Sequence, residues 1–191
     1  FYLPAPTILS IANGLLTDIQ ARCDLQNDDI ILVGHSMGGL VIRKMLLRLN
    51  AKGINHNIRK ICFFDVPHEG SGFANIGKHI AIMNRHLKAL VRNASELDDL
   101  NEQWADKKLD EHLNILSIVD ANETVVSAMS SKSIFRNHPI ETINEVNHSS
   151  IVKPNTENDT VVLLLKNFIK STPSVGKLDL GVGKPINDWL K

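Results

Sequence analysis

Gly34-His35-Ser36-Met37-Gly38 follows directly on the apolar run Ile30 to Val33 and leads into the helix-forming stretch Leu40 to Leu49. That setting constrains the chain more than any other feature. A serine between two glycines, placed where a buried strand turns into a helix, fits G-x-S-x-G, which needs a sharp, strained turn to project its hydroxyl out of a sheet. Glycines two residues either side remove side chains that would collide with the neighbouring backbone. The following helix directs its positive amino-terminal end at the serine. Ser36 is therefore the candidate nucleophile, and the backbone N–H of Met37 is a candidate oxyanion donor.

The rest of the chain supplies the scaffold such a turn requires. Ile58 to Phe64, Ile115 to Val119 and Ile140 to Val146 read as further strands. Like Ile30 to Val33, the runs are apolar throughout or nearly so, as expected of strands buried on both faces of a parallel sheet. Ile8 to Cys23 carries Ile8, Ala12, Leu15, Ile19 and Cys23 at helical spacing, and Asp159 to Ile169 carries Val161, Leu164, Leu165 and Phe168. Strands alternating with helices predict an α/β fold with a mainly parallel sheet. The 191 residues fit one domain over 1–170, with a polar, helical cap segment over about 74–113. Glycine and proline make 171–191 a surface tail.

An activated serine needs a histidine to take its proton and a carboxylate to orient that histidine. Of eight histidines, His148 lies in a loop after the last expected strand and before the closing helix, where this chain order places a base. His68 follows an earlier strand and is given at most a supporting role. His35, inside the turn, is read as structural. His56, His79, His86, His112 and His138 are expected on the solvated surface. Asp120, at the carboxyl end of Ile115 to Val119, is the favoured acid. Glu123, just before Thr124-Val125-Val126, is the alternative, and Asp65 comes third.

Several separate motifs resemble the "serine active site-containing" esterase-like proteins, which are similar in turn to GPI inositol-deacylases. The elbow with its helix, Gly34 to Val41 then Lys44-Met45-Leu46-Leu47, looks like theirs. Phe64-Asp65-Val66-Pro67-His68-Glu69-Gly70-Ser71 resembles their T-P-H-x-G-S segment, with Val66 in place of threonine. Arg92 to Glu102 looks like their helical segment, and Asn147 to Pro154 resembles their H-x-x-I-x-K-P loop. The resemblance implies an α/β-hydrolase fold, Ser36, Asp120 and His148 as catalytic residues, and ester substrates of lipid or acyl type. A cap over 74–113 would line the acyl pocket with Ile80, Ile82, Met83, Leu87, Leu90 and Val91. Such proteins carry a His-Gly loop that supplies a second oxyanion donor. No His-Gly pair occurs in this chain, so an amino-terminal portion is expected to lie outside it.

Composition narrows the partners. Lysine plus arginine and aspartate plus glutamate each total 21, so no net charge favours nucleic acid or an anionic membrane. No apolar stretch is long enough to span a bilayer, and no metal-binding spacing occurs. The chemistry needs no metal or organic cofactor. Two cysteines, Cys23 and Cys62, fit a reducing, cytoplasmic setting. Two readings compete with an esterase: acyl transfer by the same three residues, and a binding module that keeps the scaffold without the chemistry.

Overall fold

The computed structural model describes residues 6–68, 94–121, 131, 134, 135 and 137–173. Their order is α1 (Ile8–Arg22), β1 (Ile30–His35), α2 (Met37–Ala51), β2 (Ile58–Phe64), α3 (Ala94–Lys107), a 3-10 turn (Leu109–His112), β3 (Asn114–Asp120), β4 (Ile140–Ile143) and α4 (Thr160–Lys170). The four strands form one parallel sheet in the order β1-β2-β3-β4. This is the expected α/β arrangement, with helices on both faces.

Strand alternation explains the two covered faces. Ile61 and Phe63 of β2 and Ile115 of β3 join a core with α1, α2 and α3. Cys62 and Phe64, with Leu116 and Ile118, face the opposite way and pack with Ile143, Ile151 and Val161 beside α4. Burial pushes the Cys62 thiol up to about 12, so it behaves as a core residue. β1 departs from the fully buried expectation: it pairs only with β2 among the described residues, and Val33 is 49% exposed. Lys60 ties β2 to the end of α4, its ammonium donating to the carbonyls of Phe168, Ile169 and Ser171. A cation is well placed there, against the negative end of the helix.

Of the segment expected to form a cap, 69–93 lies outside the described residues, and with it Ile80, Ile82, Met83, Leu87, Leu90 and Val91. The part that is described, α3, packs into the core through Leu97, Leu100 and Trp104. Most of the expected tail, 174–191, is also outside. His56 corrects the surface expectation: it is buried, and its Nδ1 accepts the N–H of Ile58 at the start of β2. His138 is half-buried, with Nε2 donating to the carbonyl of Asp110. His112 is exposed as expected, whereas His79 and His86 fall outside the described residues. Among the described residues, no helix is long and apolar enough to cross a membrane.

Candidate active site

Parallel strands bring their carboxyl ends to one edge of the sheet, and the residues just past those ends are tied sideways. Ser36 N–H donates to Phe64 O at 3.0 Å, Asp65 N–H to Ile118 O at 3.0 Å, and Ala121 N–H to Ile143 O at 2.9 Å. This staircase sets Ser36, Asp65 and Asp120 side by side along one rim. Open α/β sheets bind their ligands at that rim.

Ser36 makes the turn by itself, with φ 53 and ψ −129. That torsion lies outside the ordinary regions for a residue with a side chain and costs about 1–3 kcal/mol. β1 runs through His35 and α2 begins at Met37, so the serine is the whole connection. Gly34 and Gly39 make this fit possible, whereas a Cβ on Gly38, expected from sequence to collide, would meet nothing within 4 Å. A Cβ on Gly34 would stand 2.9 Å from Gly39 Cα and N, and one on Gly39 would stand 2.3 Å from Val66 Cγ2. Met37 opens α2, where the first N–H groups have no partner within the helix.

His148 reaches this serine from 112 residues away, its Nε2 standing 3.0 Å from Ser36 Oγ. Its Nδ1 lies 3.9 Å from Asp65 Oδ2. Asp65 has φ 42 and is fully buried. Its Oδ1 accepts the backbone N–H of Asp120 at 2.8 Å. Asp120 is 1% exposed at the end of β3, its main chain joined to the Asp65 carboxylate that faces His148. Sequence reasoning ranked Asp65 third because it looked for the acid on a later strand. The signal available was its place at the carboxyl end of the strand that pairs with the nucleophile strand. Glu123 lies outside the described residues.

A second shell of contacts surrounds these groups. His35 Nε2 lies 2.7 Å from the His148 carbonyl oxygen, and the two rings stand 4.8 Å apart between centroids. His68 is buried with its ring edge-on to Phe63 and Phe135. Its Nδ1 accepts from Arg43 Nη1 at 3.4 Å, and its carbonyl accepts from Asn101 Nδ2 at 2.9 Å. Arg43 Nη2 donates to Asn101 Oδ1 at 2.9 Å, and its guanidinium lies over Trp104. This closed ring of bonds holds the loop that begins at Asp65. Burial pulls the Arg43 guanidinium down to about 9, which leaves it charged at neutral pH, while burial and then Arg43 keep His68 well below its ordinary range. His68 thus ties the loop after β2 to Arg43 of α2 and Asn101 of α3.

A serine hydroxyl against an imidazole, with a buried carboxylate behind, is an arrangement able to form and cleave an acyl-serine. Among the described residues, no cluster of His, Cys, Asp and Glu could hold a metal ion.

Comparison with known proteins agrees with this frame. Residues 7–170 match the model of the PGAP1-like alpha/beta domain. Protein SERAC1 of Mus musculus is 27% identical over 177 residues, covering 84% of this chain and 26% of that protein. Protein SERAC1 of Homo sapiens is 25% identical over 205 residues, covering 87% of this chain and 31% of that protein. The chain thus spans less than a third of these relatives' length. Two solved structures share the fold. A carboxylesterase from the thaumarchaeon Nitrososphaera gargenis has a TM-score of 0.52 at 12% identity, covering 87% of this chain and 74% of that one. Tomato methylketone synthase I has a TM-score of 0.51 at 11% identity, covering 83% and 76%. With its parallel sheet flanked by helices and a family match over most of its length, this chain belongs to the PGAP1-like alpha/beta domain family and has the α/β-hydrolase fold.

Proposed function

We propose that the chain is the catalytic core of a serine hydrolase that cleaves carboxylic esters, with lipid or acyl esters as the substrate class. The observation that carries this reading is the 3.0 Å approach of His148 Nε2 to Ser36 Oγ on a strained elbow. Ser36 Oγ attacks the ester carbonyl carbon while His148 Nε2 takes its proton. The negative oxygen of the tetrahedral intermediate receives the N–H of Met37 at the start of α2. His148 then gives the proton to the leaving alcohol, and water repeats the sequence to release the acid. Asp65 orients Nδ1–H of His148 and balances the imidazolium, its Oδ2 standing 3.9 Å from Nδ1, a distance that tightens when the ring becomes charged. Asp120, the acid expected from sequence, fixes Asp65 through its backbone N–H.

Labelling by a fluorophosphonate probe tests the reading. Wild-type protein labels; Ser36→Ala abolishes labelling, and His148→Ala slows it by about 10³-fold or more. A full-length, folded protein that resists the probe would instead be a binding scaffold.

A further inference from the structure

We propose that His35 is a positioning residue for the base, gripping the main chain of His148 while the adjacent Ser36 engages its side chain; this rests on the serine-hydrolase reading above. The two contacts come from consecutive residues. Ser36 Oγ is 3.0 Å from Nε2 of His148, and His35 Nε2 is 2.7 Å from the carbonyl oxygen of the same residue. A carbonyl only accepts, so His35 Nε2 carries a proton. Burial lowers the His35 pKa more than the bond to the His148 carbonyl raises it, and Lys153 lowers it further, which favours the neutral ring with its proton on Nε2.

The histidine loop needs such an anchor. Its own bonds are mostly local: Asn147 Oδ1 accepts the N–H groups of Ser149 and Ser150, and Asn147 O accepts that of Ile151. These bonds shape the turn but do not fix its height over the sheet. Ile151, fully buried in the core beside α4, secures the turn's far end. His35, the last residue of β1, secures the near end to the strand that carries the nucleophile. The Ser36–His148 distance is thus set by two consecutive residues, the last of β1 and the turn that follows it. A drift of about 1 Å in such a pair costs roughly 10²-fold in rate.

Two substitutions separate donor from ring. His35→Phe keeps an aromatic ring and loses the N–H, whereas His35→Gln retains a side-chain N–H of similar reach. In the full chain, His35→Phe is expected to lower kcat for ester hydrolysis about 10²-fold with KM within about twofold. His35→Gln should retain most of the rate, and both variants should keep a cooperative melt. Hydrogen exchange gives a second readout that needs no turnover: the Ile151 amide should exchange faster in His35→Phe and not in His35→Gln. Equal rates and equal exchange in the two variants would overturn the positioning role. If neither wild type nor variants turn over ester, yet Ile151 exchange separates Phe from Gln, the anchor stands and the hydrolase reading is what fails.

Discussion

Asp65 and Asp120 show how far the identity of single residues can be read from a one-dimensional pattern. Both end strands, both are buried, and strand order alone favours the later one. Asp65 Oδ2 stands 3.9 Å from His148 Nδ1, a side-chain distance that no spacing along the chain encodes. Neutralising each in turn therefore has an expected order. Asp65→Asn should cut kcat by about 10³-fold or more, because imidazolium loses its facing charge. Asp120→Asn should cost less, since its backbone N–H survives the change. The reverse order in steady-state kinetics would return the orienting role to Asp120. The proximity of Ser36 and His148, in contrast, was legible from sequence, because the elbow places one and loop order the other. His35 was not: a histidine inside the motif gives no hint that it reaches a carbonyl 113 residues away.

Element boundaries were legible wherever apolar runs meet turn formers, and β2 spans Ile58–Phe64 as read from its composition. Two boundaries moved for backbone reasons. The turn expected over Gly34 to Gly39 collapses to Ser36, because a single positive φ reverses the chain and lets α2 start at Met37. The strand expected to run to Val146 stops at Ile143, shortly before Glu145 takes φ 62. The junction of β1, α2 and the Asp65 loop leaves no room for a Cβ at Gly34 or Gly39. Gly39→Ala places its Cβ against two methyl groups of Val66, so it should destabilise by roughly 1–3 kcal/mol. Val66→Ala in the same chain removes those methyls and should recover part of that loss, a coupling visible in denaturant titrations. Gly34→Ala meets backbone of Gly39, and the same second substitution should not rescue it. Independent, additive effects for Gly39 and Val66 would argue against this contact.

At the scale of the whole molecule, the parallel sheet flanked by helices followed from alternating strands and helices, whereas the strand order did not. Histidine burial did not, because lone histidines carry no periodic signature. His35, His56, His68 and His138 all have lowered pKa values, with burial the leading cause in each. Unfolded, each would titrate near 6.5. Below that pH the unfolded chain binds more protons than the folded one, so stability falls as pH falls. It is fully present above about 6.5 and is lost towards the lower folded values. Thermal melts should thus show Tm dropping on the order of 5 °C or more between pH 7 and pH 5. A flat profile over that interval would mean these rings are not held neutral by the fold.

The torsion at Ser36 bears on the history of this chain. At φ 53 and ψ −129 the backbone would rest more comfortably on glycine, which has no Cβ to crowd it. Every generation therefore offers a single substitution that relaxes the fold and removes the hydroxyl. A lineage that kept only the scaffold would meet no opposition to that drift, and stability would favour it. On the proposed reading, Ser36→Gly should therefore melt higher than wild type while losing all reactivity toward a fluorophosphonate probe.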